Sequence, residues 1–218
     1  MVGALVVFTV TYLVIASRQL RWLGLDRPAG AVVGAVAMVL VGGLPMDAAL
    51  HAIDLHVLTL LFGILLIAAY LQDAGFFRLC AYLVLTRARS ARSLLFGLVF
   101  VAGALSALLL NDTVCVLLTP LVVAVAVEAR LPALPYLLAL ASAANVGGVV
   151  SFSGNPQNMI VGAAAHGTIG FAQYLVLTLP VGAACLAANT AALVWLFRGA
   201  LPRGPIADRS PPRPALDR

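Results

Sequence analysis

The sequence contains no lysine, and only 10% of its 218 residues are charged. A soluble domain carries about 25% charged residues, so this scarcity excludes an ordinary water-soluble globular protein. The three cysteines, Cys80, Cys115 and Cys185, are scattered through apolar stretches. Their spacing excludes a disulfide framework or a thiolate metal site, and they read as small apolar packing residues. Acidic residues number only 8, and all but one fall in connectors or near the C-terminus. The exception is Asp112. All 13 basic residues are arginine, and the net charge is +5. The arginines stand in short segments between apolar runs, which argues for membrane topology and against a nucleic-acid partner. A cleavable leader, with a charged front and a small-residue cleavage site, is not evident, and the chain runs at once into an apolar stretch.

What is abundant is apolar surface. The chain is 63% hydrophobic with a mean hydropathy of +1.08. This implies an all-α polytopic membrane protein. Apolar spans are expected at residues 2–16, 29–44 and 55–71, with Pro28 suited to the first turn of the second. Small residues in that span (Ala31, Gly34, Ala35, Ala37) favour close helix packing. Residues 45–54 read as a loop. Residues 76–86 are apolar but framed by Arg78, Arg87, Arg89 and Arg92, which predicts a helix lying in the membrane interface. A final span is expected at residues 171–197, kinked at Pro180, and His166 and Gly167 read as a turn before it. The membrane domain is therefore residues 1–197, and residues 198–218 form an Arg/Pro-rich tail expected to be extended. With the N-terminus outside, every arginine falls on the cytoplasmic side, and the loops at 45–54 and 166–170 carry none. That pattern places the protein in the cell (inner) membrane with a cytoplasmic C-terminus.

Two stretches interrupt this apolar pattern. Residues 93–110 are helical in character, followed by Asn111-Asp112-Thr113 and a second apolar run at 114–127. Asn and Asp are strong N-cap types. The arrangement reads as two helices meeting in a re-entrant hairpin that returns to Glu128 and Arg130 on the side it left. Asp112 either caps the second helix or takes part directly in function; one carboxylate oxygen stays free in either case.

The second stretch runs Ala144-Asn145-Val146-Gly147-Gly148, then Ser151-Phe152-Ser153-Gly154-Asn155-Pro156-Gln157-Asn158-Met159. Glycine and proline weaken or break helical hydrogen bonding. The amides of Asn145, Asn155, Gln157 and Asn158 need partners once dehydrated. At membrane depth, unwound backbone survives only where protein buries it or where it lines a cavity. The reading is a broken transmembrane helix, with half-helices at residues 136–144 and 159–165.

Two breaks at membrane depth offer what an ion or substrate site needs: helix termini with unpaired backbone groups, and neutral side-chain oxygens. The candidate binding residues are Asn111, Asp112, Thr113, Asn145, Gly147, Gly148, Ser153, Gly154, Asn155, Pro156 and Asn158. A Na⁺ ion would use oxygens of Asn111, Asp112 and Asn155; a proton would use Asp112; an anion would use amide donors and helix N-termini. These residue types accommodate all three. No cofactor is expected beyond Na⁺ or H⁺ as coupling ion.

The run Leu110-Asn111-Asp112-Thr113-Val114-Cys115-Val116-Leu117-Leu118-Thr119-Pro120 resembles the hairpin-tip motif of the ion transporter superfamily, which includes arsenite permeases and citrate carriers. The Gly154-Asn155-Pro156-Gln157-Asn158 segment resembles its broken-helix motif, most nearly the arsenite-permease-like branch. Together they cover roughly residues 1–197. The resemblance implies a secondary transporter built of inverted repeats, moving an inorganic anion such as arsenite, or a carboxylate, with H⁺ or Na⁺. Dicarboxylate members carry Ser-Asn-Thr at the tip, and the acid here fits a cation- or proton-coupled branch better.

Family members carry a second hairpin and a second broken helix, and this chain carries one of each. It therefore resembles an N-terminal repeat. The expectation is a truncation, a separate partner chain or a homodimer, the last opposed by the one-sided arginines. Alternatives are a Na⁺/H⁺ antiporter, a non-transporting relic or membrane subunit, and an intramembrane enzyme. For the last, Ser151-Phe152-Ser153-Gly154 faintly resembles an intramembrane serine protease motif. That motif wants glycine at 151 and a later histidine, and none follows His166, so the chain reads as not an enzyme.

Overall fold

A computed structural model describes residues 2–16, 26–165 and 167–202. The connector at 17–25, His166 of the expected turn and most of the tail, 203–218, lie outside the described residues. The described elements are helical, and the chain divides into two compact units, Met1–Leu55 and His56–Arg218. Among the described residues, four stretches are long and apolar enough to cross a membrane: Met46–Asp73, Ala91–Leu108, Asn111–Glu128 and Phe171–Leu196.

In the first unit, α1 (Val2–Ala16) packs against α2 (Arg27–Leu40). Asp26 caps α2 by accepting from the Ala29 N–H at 3.1 Å, and Pro28 sits in its first turn, where its missing N–H costs nothing. The contact face of α2 is Gly30 and Gly34, both buried; a Cβ on Gly34 would overlap the side chain of Thr11. In lipid, where water does not drive helices together, such small-residue faces permit the close approach that does. The stretch read as a loop contains a short helix, α3 (Met46–His51), started by Pro45 with Asp47 in its first turn. Its six residues, two of them alanine, form a unit too short for hydropathy periodicity to reveal.

The second unit opens with α4 (Leu55–Asp73), which ends where Gly75 takes a left-handed conformation (φ 75°). The next helices are α5 (Phe76–Arg87), α6 (Ala91–Leu108) and α7 (Asn111–Glu128). A broken helix follows, made of α8 (Ala133–Gly148), a 3₁₀ turn at Phe152–Gly154 and α9 (Pro156–Ala164). The last helix, α10 (Phe171–Leu196), continues as one element through Pro180.

The unit is organised around α8, which packs on α6, α7 and α10. Its inward residues explain this position. Ala139, Leu140, Ala143, Ala144, Gly147 and Gly148 are buried, and most are too small to hold neighbours apart. α6 runs parallel to α8: near their starts the buried Tyr136 hydroxyl donates to the Ala91 carbonyl at 3.0 Å, and near their ends Ser106 Oγ donates to the Ala144 carbonyl at 2.5 Å. α7 returns antiparallel, and Leu109-Leu110 is the turn of the expected hairpin. At its base, Ser90 and Ser93 form a capping box at the start of α6. At the other base, Leu131 N–H bonds back to the Ala126 carbonyl around a left-handed Arg130. Each hairpin arm has 18 residues, about 27 Å of helix, against a hydrocarbon core of about 30 Å.

Candidate substrate and ion site

The hairpin tip and the helix break meet at the same end of this unit. Asn111 Nδ2, in the first turn of α7, donates to Asn145 Oδ1, in the last turn of α8, at 3.2 Å. Asn145 Nδ2 in turn donates to the Ala141 carbonyl at 2.8 Å, and Asn111 Oδ1 accepts from the Asp112 N–H at 2.9 Å. The two amides therefore hold each other in fixed orientations.

The expected caps are rearranged. Leu110 occupies the N-cap of α7 and offers no side-chain hydrogen bond. Asn111, Asp112 and Thr113 sit one position further on, inside the first turn. The Asp112 carboxylate is exposed and, among the described residues, accepts no hydrogen bond; the Thr113 hydroxyl is also unengaged. A carboxylate in a helix's first turn is favoured by the helix dipole, so Asp112 keeps its place without a capping bond.

The break lies lower in the chain than its glycines imply. α8 continues through Asn145 to Gly148, and the chain unwinds only from Val149 to Asn155. Gly147 is helical because it is a contact point: a Cβ there would overlap the Gly103 carbonyl of α6. Gly148 and Gly154 face each other across the break, and a Cβ on Gly154 would overlap the Gly148 carbonyl. A Cβ on Gly148 would also lie 3.3 Å from Asn111 Cβ, which sets the hairpin tip directly against the break. Here glycine serves close approach between backbones rather than unusual dihedrals.

Unwinding strands carbonyls that lipid cannot satisfy. Side chains satisfy them instead. Asn158 Nδ2 reaches the Gly148 carbonyl at 3.1 Å and the Ser151 carbonyl at 2.9 Å, with Val149 at 3.4 Å. Asn155 caps α9, its Oδ1 accepting from the Asn158 N–H at 2.8 Å, while its Nδ2 lies 3.4 Å from the Gly148 carbonyl. Pro156 occupies the first turn of α9, where its missing N–H is harmless. Buried Ser151 donates to the Ala107 carbonyl at the end of α6, and its Oγ lies 3.0 Å from that of Ser153. From α10, the Tyr174 hydroxyl donates to the Val149 carbonyl at 3.0 Å and Thr178 Oγ1 to the Val150 carbonyl at 2.6 Å. Phe152 stacks on Tyr174 with ring centroids 4.1 Å apart.

The structure thus gathers Asn111, Asn145, Gly147, Gly148, Ser153, Gly154, Asn155, Pro156 and Asn158 around one junction. The side chains of Asp112 and Thr113 lie at its edge without bonds to the others. Sequence reasoning placed Ser151 in the break but not among the binding residues, and missed Ser106, Tyr174 and Thr178 as parts of this junction. Hydroxyls inside apolar helices were the available signal, but their partners are 25 to 44 residues away in the chain. The groups left to a ligand are the Asp112 carboxylate, the Thr113 hydroxyl and Asn158 Oδ1, which accepts no bond among the described residues. Among those residues, no group of three or more His, Cys, Asp or Glu side chains is placed to hold a metal ion. Any ion at the junction would rest on neutral oxygens and one carboxylate, a hard-donor set suited to Na⁺ or a proton and not to a transition metal.

Comparisons with known proteins agree with this architecture. A family described as "Citrate transporter" matches residues 5–213. The chain is 37% identical over 192 residues to a silicon efflux transporter of Oryza sativa subsp. japonica, covering 88% of this chain and 39% of that protein. It is 26% identical over 196 residues to a putative arsB transporter of Dictyostelium discoideum, covering 88% of this chain and 34% of that one. It is 30% identical over 202 residues to a 46 kDa membrane protein of Mycobacterium leprae, covering 90% and 46%. The chain spans less than half the length of each of these relatives. With its helical hairpin, its broken helix and a family match along nearly its whole length, this multi-pass membrane chain belongs to the citrate transporter family, within the ion transporter superfamily.

Proposed function

We propose that the chain carries one substrate- and ion-binding half of a secondary active transporter, which moves a small inorganic or carboxylic acid coupled to H⁺ or Na⁺. The observation that carries the proposal is the Asn111–Asn145 hydrogen bond, which ties two helix interruptions into one polar junction. In lipid such a junction is costly to maintain unless it serves a ligand. Asn111, Asp112, Thr113, Asn145, Ser153, Asn155 and Asn158 bind or orient that ligand. Gly147, Gly148, Gly154 and Pro156 give the backbone its shape. Asp112 takes the coupling ion or proton, since its carboxylate is the one ionisable side chain at the tip and is not used in a cap.

Arsenite, silicic acid and citrate are the substrates to test, the second because a relative is named as a silicon efflux transporter. Among the described residues the junction offers amides, hydroxyls and a carboxylate but no arginine, which favours a compact oxyacid over citrate. The arginine pattern supports an N-terminus outside and a cytoplasmic C-terminus in the inner membrane.

The test is flux into proteoliposomes reconstituted with the chain, using each substrate under imposed Na⁺ or H⁺ gradients. Gradient-driven flux that is lost in Asn145→Ala supports the proposal. Flux no greater than in empty vesicles, from well-inserted protein, means that this half does not transport alone; the proposal falls if that protein also binds none of the three substrates. A second reading, Na⁺/H⁺ antiport, is favoured by the unbonded Asp112 carboxylate. It predicts Na⁺-driven proton movement with no added acid.

A further inference from the structure

On the outer side of α7, away from the junction, lies a cavity of about 510 Å³. This falls in the range of about 300–1,000 Å³ typical of small-molecule sites. One wall is apolar, with Phe77 of α5 and Val116, Leu117 and Leu121 of α7. The rim carries Asp73, the last residue of α4, and Arg78, in the first turn of α5. Both charged side chains are exposed, and among the described residues no ion pair joins them to each other or to anything else. Pro120 also lines the cavity. Having no N–H, it deprives the Val116 carbonyl, one turn earlier on the same wall, of its helical donor. The site thus offers one cation, one anion and a spare carbonyl beside an apolar face.

We propose that this cavity binds the zwitterionic headgroup of an aminophospholipid, phosphatidylethanolamine. Arg78 takes the phosphate, as planar guanidinium groups do well. Asp73 and the Val116 carbonyl take the ammonium. The first acyl methylenes lie along Val116, Leu117 and Leu121, which commits the site to a lipid and not to a free phosphoamine. A primary ammonium donates hydrogen bonds that a trimethylammonium cannot, so the site distinguishes phosphatidylethanolamine from phosphatidylcholine. Neither residue belongs to the transport junction, so the proposal is independent of the substrate reading.

The experiment is native mass spectrometry of the detergent-released chain, titrated with phosphatidylethanolamine, phosphatidylcholine and phosphatidylglycerol of matched acyl chains. Phosphatidylethanolamine is expected to be retained about tenfold better than phosphatidylcholine, the effect of one charged hydrogen bond. Asp73→Asn should bring phosphatidylethanolamine down to the phosphatidylcholine level and leave phosphatidylglycerol unchanged. Arg78→Gln should weaken all three. Val116→Trp, which fills the cavity without touching either charge, should abolish the headgroup preference and guards against misfolding of the charge variants. Equal retention of the three lipids by the unaltered chain, or a preference unmoved by Asp73→Asn and Val116→Trp, overturns the proposal.

Discussion

Asn111 and Asn145, 34 residues apart in the chain, exchange a side-chain hydrogen bond of 3.2 Å between the first turn of one helix and the last turn of another. Removing either partner should leave the other amide without this bond at an exposed site. Asn145→Ala is expected to lower the unfolding free energy by about 0.5–1.5 kcal/mol and to reduce transport far more than that loss implies. Thermal melting in detergent, alongside flux per inserted molecule, separates the two effects. Equal proportional losses would make the bond structural only.

Asp112→Asn keeps shape and removes charge. Since the carboxylate makes no bond among the described residues, melting should be unchanged within about 0.5 kcal/mol. Gradient-driven uptake should fall to background. Uptake that still responds to the imposed gradient would remove Asp112 from the coupling role.

Asn158 engages the Gly148 and Ser151 carbonyls with one amide group. Asn158→Leu leaves the Ser151 carbonyl without a donor among the described residues and the Gly148 carbonyl with only the 3.4 Å contact from Asn155 Nδ2. It should destabilise by about 2–3 kcal/mol, seen as a lower melting temperature and weaker membrane expression. Asn155→Ala, which removes an N-cap, should cost about 1 kcal/mol. A milder effect at 158 than at 155 would contradict the bonding described.

Gly147→Ala forces a methyl group into the Gly103 carbonyl, a backbone atom with nowhere to go. Gly103→Ala brings its methyl 2.7 Å from Leu186 Cδ1, the far end of a side chain that can rotate. The first variant should fail to accumulate in the membrane, while the second should express and melt slightly lower. Fluorescence-detected size exclusion ranks them directly, and the reverse order would mean that the α6–α8 contact can open.

Much of this architecture was legible in the chain. Long apolar runs between polar or charged connectors marked α4, α6, α7 and α10 to within a few residues, because a bilayer demands length and hydrophobicity and little else. Pro28 marked a helix start, since proline's fixed φ suits a first turn; Pro156 read as part of the break, and the structure starts α9 at it, three residues before the expected half-helix. The end of α8 was not legible. Asn145-Val146-Gly147-Gly148 has the composition of a break, yet stays helical because Gly103 and Gly154 press against it from other parts of the chain. Propensity is local, and that contact is not. The role of Asn155 and Asn158 was only half visible for the same reason. Their amide groups read as ligands, and the structure gives their donors to the backbone of the break, leaving oxygen as what they can offer elsewhere.

At Gly147 the seam between α6 and α8 is backbone against backbone, so that position leaves no room for any side chain. A change of cargo has to be achieved at the margin, through residues such as Thr113 or Ser153 that stand clear of the seam. The frame beneath then behaves as a fixed chassis: selectivity is retuned by single exchanges above it, and attempts to reshape the chassis itself end in loss of the protein.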